Sequence, residues 1–254
     1  MKIFFKTILK YYLKYLTKVT LFMHAPLIIA IAGSTNKTFV KDEIKQSLNT
    51  QGFDVRSNPK SFNTEIGLPL AILNLPSGYS SYKKWVNIIF QAFLAIFSKN
   101  FPKIIVLELG ISNPGDMKYL LSIIHPKIVI ITDITQRYSE AFDDMHELIG
   151  EYEYLIKKTT PDGLIILNKD NLAIKKLKQK ARTELIFFGT VKKTEEAGDY
   201  WQAVEIIKTS NGQSFNIIKP TGKEICEINR FGQHHVYSNL ITKIVNNKIN
   251  KFTS

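Results

Sequence analysis

The sequence predicts an α/β fold: a mostly parallel sheet with helices on both faces, followed by a small antiparallel sheet near the C-terminus. Three observations carry this expectation. From Leu27 onward, apolar runs of strand length alternate with stretches of helical periodicity. The first run, residues 27–32, empties into the short loop Gly33-Ser34-Thr35-Asn36-Lys37-Thr38 ahead of a helical pattern. After Gly189 the texture changes to short alternating runs joined by the turn signals Asn211-Gly212 and Thr221-Gly222.

Residues 1–24 form the first element and differ from the rest. Lys2, Lys6, Lys10, Lys14 and Lys18 recur at every fourth position, with Phe4, Phe5, Ile8, Leu9, Tyr12, Leu13 and Leu16 between them, and no acidic residue precedes Asp42. This spacing predicts a basic amphipathic helix. Its lysines interrupt every apolar run well short of the ~20 residues a membrane span needs, and it is not a signal peptide. Two readings stand side by side: a helix lying on an anionic membrane surface, or a helix packing its apolar side on the domain or on a partner chain.

Residues 25–254 read as one domain. Strands are expected at 27–32, 103–109, 127–132, 163–168 and 184–188, with a weaker one at 53–55. Helical patterns cover 37–49, 81–98, 115–124, 141–157 and 172–180. The stretch 81–98 carries Trp85, Ile88, Ile89, Phe93, Leu94, Ile96 and Phe97, too apolar for a free surface helix, so it belongs to core or interface. The alternating runs 203–208, 214–219 and 224–228 make the small antiparallel subsheet, about 189–230. A helix at about 234–247 closes the chain.

The chain has 254 residues, 44% of them hydrophobic, enough for a proper core. A single cysteine, Cys226, excludes an internal disulfide and a cysteine-built metal site and suits a reducing cytoplasm. Thirty-four Lys and Arg against 22 Asp and Glu give a formal charge of +12. Such a balance suits an anionic partner: nucleotide, nucleic acid or acidic lipid. Neither an RNA-binding aromatic signature nor zinc-finger spacing occurs, so nucleic acid is not expected as a partner.

The loop at Gly33 carries the chemistry. A strand, a short loop and a helix start bearing Lys-Thr let backbone N–H groups hold a polyphosphate, with Lys37 at its outer phosphates and the Thr38 hydroxyl on Mg²⁺. The alternative is an ordinary helix start with a surface lysine. Asn36 stands where such loops place glycine; Asn is the best non-glycine substitute for positive φ, at ~1 kcal/mol. Glu108, a carboxylate ending an apolar strand, needs a partner, either a metal or a salt bridge at the sheet edge.

Other segments extend the pattern: Phe62-Asn63-Thr64-Glu65-Ile66-Gly67-Leu68-Pro69, Leu107-Glu108-Leu109-Gly110, Asn113-Pro114-Gly115-Asp116, and Pro161-Asp162-Gly163 running to Leu167-Asn168-Lys169-Asp170. With the phosphate loop, in this order and spacing from about residue 27 to about 245, they resemble the central ATP-binding domain of the Mur ligases. The branch most resembled adds D-alanyl-D-alanine to the cell-wall precursor. Gly232-Gln233-His234-His235 is similar to the family's glycine-x-histidine-asparagine stretch.

The resemblance implies ATP and Mg²⁺ as cofactors and an amide-forming reaction. A substrate carboxylate attacks the γ-phosphate to give an acyl phosphate, which an amine then displaces. It implies Gly33, Ser34, Thr35, Asn36, Lys37 and Thr38 around the phosphates, with Lys37 and Glu108 as the catalytic pair. Thr38 and Glu108 would hold the metal, and Asn168 and Asp170 would meet the nucleoside end of ATP. Asn63 and Glu65 fall in what resembles a substrate-side loop, or cap a turn. Two positions depart from the family: Tyr138 replaces a histidine and Tyr152 a carbamylated lysine, so the second metal site is expected to be lost. The family's flanking domains have no counterpart here, which implies a partner chain supplying them. The alternative is a degenerate, catalytically inactive nucleotide-binding or scaffolding module, cytoplasmic and peripheral at the inner membrane face through residues 1–24.

Overall fold

The computed structural model describes residues 2–59, 61–79, 81–135, 141–177, 183–191 and 199–253. The chain runs α1 (Lys2–His24), β1 (Leu27–Ala32), α2 (Lys37–Thr50), β2 (Val55–Ser57), α3 (Gly67–Ile72), α4 (Tyr82–Ala95), β3 (Ile104–Glu108) and α5 (Asp116–Leu120). It continues with β4 (Ile128–Ile131), α6 (Met145–Lys158), β5 (Leu164–Asn168), α7 (Leu172–Leu177) and β6 (Glu184–Gly189). The last part comprises β7 (Asp199–Lys208), β8 (Gln213–Lys219), β9 (Gly222–Ile228), α8 (Gln233–Lys248) and α9 (Asn250–Thr253).

One sheet of nine strands has the order β2-β3-β1-β4-β5-β6-β7-β8-β9. All neighbours from β2 to β7 pair parallel, and β7-β8 and β8-β9 pair antiparallel. The antiparallel strands expected after Gly189 are therefore present, joined to the parallel ones. The link is β6 against β7, with Phe188 opposite Trp201. From β1 the chain moves outward to β2, returns through β3, and crosses to β4 on the other side of β1. The carboxyl ends of β1 and β4 thus flank a topological switch point, where open α/β sheets bind ligands.

Both faces of the sheet are covered, which is why β1, β3, β4 and β5 read as unbroken apolar runs. On one face α3, α5, α6 and α7 bury Leu68, Met117, Leu148, Leu155 and Ile174. On the other, α2 and α8 bury Ile44, Leu48, Leu240 and Ile244. A third cluster joins Leu9, Leu13 and Leu16 of α1 to Leu70 of α3 and to Trp85, Ile88 and Ala92 of α4. The Tyr12 hydroxyl donates to the Ile89 carbonyl at 3.0 Å, and His24 Nε2 lies 2.9 Å from the Ile96 carbonyl. Of the two readings of residues 1–24, packing on the domain holds for this face. No helix among the described residues is long and apolar enough to cross a membrane.

Several boundaries shift for identifiable reasons. Gly67 and Pro69 look like breakers in sequence, yet Pro69 sits in the first turn of α3, where a missing N–H costs nothing. The helix expected from 141 starts at Met145, because Asp144 caps it by accepting from Glu147 N at 2.8 Å. The pattern at 115–124 yields only α5, Asp116–Leu120. The end of the pattern at 172–180 lies outside the described residues.

Candidate active site

The loop after β1 is shaped by two backbone positions. Gly33 has φ +143°, and a Cβ there would lie 2.1 Å from Thr132 Oγ1, so only glycine fits. Asn36 has φ 63° and ψ −1°, the left-handed conformation expected of it in place of glycine, and is the N-cap of α2. Its carbonyl accepts from Val40 N at 3.1 Å. The loop therefore holds its turn without glycine at residue 36.

The end of β4 clasps this loop. Ser34 N donates to the Asp133 carbonyl at 2.9 Å, and Ser34 Oγ exchanges hydrogen bonds with Thr135. Thr35 N and Oγ1 donate to the two Asp133 carboxylate oxygens at 2.8 and 2.6 Å. Thr132 Oγ1 donates to the Thr35 carbonyl at 2.7 Å. From α6 the buried Tyr152 reaches the neighbourhood of Ser34; burial, then the nearby Asp133 and Glu151, pushes its phenol above the ordinary range. At the position where the resemblance places a carbamylated lysine, the chain thus has a buried, neutral phenol. Tyr138 lies outside the described residues.

Lys37 and Thr38 begin α2. Lys37 Nζ donates to the Gly33 carbonyl at 2.6 Å, curled over the loop. Burial lowers its pKa, and the negative charges of Glu108 and Asp133 oppose that shift. The Thr38 hydroxyl donates to Glu108 Oε2 at 2.8 Å, and Asn63 Nδ2 donates to Glu108 Oε1 at 2.9 Å. Glu108 is buried on β3, an internal strand, so the sheet-edge salt bridge does not apply. Its main chain is pinned by buried Asn58, which accepts from Glu108 N at 2.8 Å and donates to its carbonyl at 3.0 Å. A Cβ on Gly110 would come within 2.8 Å of Asn63 Cγ, so the glycine two residues after Glu108 makes room for the Asn63 side chain.

Asn168 and Asp170 continue the network one strand further. Asn168 Nδ2 donates to the Thr132 carbonyl at 2.8 Å, and its Oδ1 accepts from Asp170 N at 2.9 Å. The Asp170 carboxylate accepts from Thr190 N, Thr190 Oγ1, Val191 N and the Tyr237 hydroxyl. Both side chains thereby lock the ends of β4, β5 and β6 together. Against the first turn of α2, Phe39 lies 5.6 and 5.2 Å from the His234 and His235 rings. Gly232 has φ +112°, and a Cβ there would lie 2.7 Å from the His234 ring. Glu65 caps no turn; it pairs with Lys6 and Lys10 of α1 at 3.0 and 2.5 Å.

Asp133, Asn58 and Tyr237 are the members that sequence reading gave no role. Asp133 lies two residues past β4, a place with many uses for an aspartate. Asn58 and Tyr237 carry no local signature.

The donor set suits a hard divalent cation and a polyphosphate. Thr38 and Glu108 present a hydroxyl and a carboxylate together, and Mg²⁺ takes one or two protein oxygens and completes its shell with water and phosphate. Groups of three or more His, Cys, Asp or Glu able to hold a metal are absent among the described residues. The site therefore has no protein-only cage and fits the ion that needs none.

Comparison with known proteins agrees with this geometry. The family description "Mur ligase middle domain" matches residues 31–245. The UDP-N-acetylmuramoyl-tripeptide--D-alanyl-D-alanine ligase of Buchnera aphidicola subsp. Baizongia pistaciae is 26% identical over 223 residues, 88% of this chain and 42% of that protein. The enzyme of the same description from Haemophilus influenzae is 23% identical over 214 residues, covering 83% and 40%. Among solved structures, MurF from Acinetobacter baumannii superposes with a TM-score of 0.72 at 17% identity, covering 94% of this chain and 46% of that one. MurF ligase from Thermotoga maritima in complex with ADP gives 0.71 at 17%, covering 94% and 49%. The chain thus spans less than half the length of these relatives.

Proposed function

Because the chain belongs to the Mur ligase family through its middle domain, we propose that it binds Mg·ATP at the Gly33–Thr38 loop for carboxylate activation in an ATP-dependent, amide-forming ligase of the peptidoglycan-precursor type. The observation that carries this reading is the Thr38–Glu108–Asn63 constellation beside a preformed loop with Lys37 curled over it. Loop N–H groups and the Lys37 ammonium would take the phosphates, and Thr38 with Glu108 would hold Mg²⁺. The bound metal would offset the repulsion between a carboxylate and the γ-phosphate it attacks. Asn63 fixes the Glu108 carboxylate so that it meets the cation without reorganising. Phe39, His234 and His235 form a ring cluster beside the start of α2, and Asn168 and Asp170 support the floor toward the nucleoside end.

The tyrosines support a site with one metal. A phenol held neutral is a poor divalent ligand, and burial keeps Tyr152 in that form. The relatives' names support a UDP-N-acetylmuramoyl-tripeptide as acyl substrate and D-alanyl-D-alanine as amine. The proposal includes further domains, on a partner chain or beyond this segment, to bind these two, and it places the chain in the cytoplasm with its nucleotide-linked substrate.

Calorimetric titration with ATP, with and without Mg²⁺, tests the reading. Saturable Mg²⁺-dependent binding, weakened at least about tenfold by Lys37→Ala through loss of a charge-assisted phosphate contact, is expected. No binding at millimolar ATP would overturn it and favour the inactive scaffolding module.

A further inference from the structure

The two helices that share the third apolar cluster each turn a second apolar face outward. On α1, Phe4, Ile8, Tyr11, Tyr15 and Phe22 follow one another at helical spacing, and all are exposed, from 51% at Ile8 to 87% at Phe22. On α4, Val86, Phe90, Phe93 and Phe97 just beyond its end do the same, none less than 47% exposed. Over half of the exposed large apolar side chains among the described residues belong to these two helices and their ends. Buried Leu13 and Trp85 account for the inner faces. They leave the outer ones without a function in the fold, and a monomer seldom leaves such area bare.

The stripes share one surface. Tyr12, beside the exposed stripe of α1, donates to the backbone of Ile89, beside the exposed stripe of α4. The two outer faces therefore flank the same seam. Their charge is of one sign: no Asp or Glu occurs in residues 1–41 or 66–107, whereas Lys18, Lys83, Lys84 and Lys99 are exposed there. Lys18 and Lys83 fall within the stripes themselves, seven residues from Tyr11 and Phe90 respectively.

This combination selects among occupants. A second copy of the chain would bring lysine against lysine, since Glu65, the carboxylate that meets α1, is already paired with Lys6 and Lys10. Aromatic rings with lysines around them match an anionic bilayer, whose headgroups take the ammonium groups while the rings enter the acyl boundary. We propose that α1 and α4 together form one membrane-docking surface for anionic lipid. The hydrogen bonds described for the Gly33 loop and Glu108 involve none of the residues substituted below, so the test is separate from nucleotide binding.

The whole chain is sedimented with vesicles of phosphatidylglycerol and phosphatidylcholine, and with phosphatidylcholine alone, at low and high salt. Expected is binding to the anionic vesicles that is released as salt rises. Each lysine near such a surface contributes about fivefold to partitioning, so Lys83→Glu with Lys84→Glu should lower it by about 25-fold or more. Phe90→Ser with Phe93→Ser, and separately Phe4→Ser with Tyr15→Ser, should each lower it by at least about tenfold. Circular dichroism melting shows that each variant is folded, which is expected because every substituted side chain is exposed. Three results would overturn the proposal. One is equal binding to neutral vesicles or none to anionic ones. Another is α4 variants that bind like the parent, leaving α1 to act alone. The third is a dimer in sedimentation velocity that the same substitutions dissolve, meaning that a second copy covers the surface.

Discussion

Asp133 places a carboxylate in a loop otherwise arranged for phosphate. It occupies the Thr35 amide at 2.8 Å and lies close enough to Lys37 to oppose the lowering of its pKa. A phosphate must share that amide with a like charge, so the carboxylate works against nucleotide while it shapes the loop. Asp133→Asn keeps an acceptor for Thr35 N and removes the charge. ATP affinity measured by calorimetry should rise about tenfold, and an unchanged or weaker affinity would count against this role. Asn36→Gly should also tighten ATP, by up to about fivefold, because glycine keeps the left-handed turn and lets the backbone come closer to the phosphates. Weaker binding by that variant would show that the Asn36 side chain contributes to the site. Lys37, Thr38 and Glu108 were legible from type and spacing, since a strand end and a helix start place them without tertiary information. Asp133 was not, because an aspartate after a strand has many uses and its partner, Thr35, is 98 residues away.

α1 shows how an amphipathic pattern can serve two surfaces. Leu13 is fully buried against α3 and α4, while Phe4 and Tyr15 point outward. The docking of α1 rests on that inner face, on the Tyr12 and His24 hydrogen bonds, and on Lys6 and Lys10 at Glu65. Leu13→Ala should cost about 2–5 kcal/mol in chemical denaturation. A cost below about 0.5 kcal/mol, the range of surface substitutions, would mean that α1 is only loosely held. Glu65→Gln, in a half-exposed ion pair, should cost no more than about 1 kcal/mol. Periodicity identified α1 as amphipathic but could not say which side was covered, because both sides are apolar and only α4 distinguishes them. The same limit hid α3, whose Gly67 and Pro69 suggest a break until the first turn is seen to tolerate both. It also hid the pairing of β6 with β7, which depends on strand partners and not on local pattern.

At the scale of the whole molecule, one sheet organises the candidate site. Its carboxyl edge gathers Gly33, Thr38, Glu108, Asp133, Asn168 and Asp170 from β1, α2, β3, β4 and β5, and hydrogen bonds through Thr132 tie them into one floor. The positive charge that composition revealed has an uneven distribution, with the acid-free segments 1–41 and 66–107 supplying α1 and α4. The proposed nucleotide site and the proposed lipid-facing surface thereby draw on different residues. The proposed function requires Glu108 and Thr38 to hold the Mg²⁺ of a bound Mg·ATP. The measurement that tests it most directly is the ratio of ATP affinities with Mg²⁺ and with a chelator, in the parent chain and in Glu108→Gln. The amide keeps the shape and an acceptor for Thr38 but removes the charge a hard cation requires. A ratio of about tenfold or more is expected in the parent and close to one in the variant, with affinity in chelator little changed. The same Mg²⁺ dependence in both proteins would contradict it.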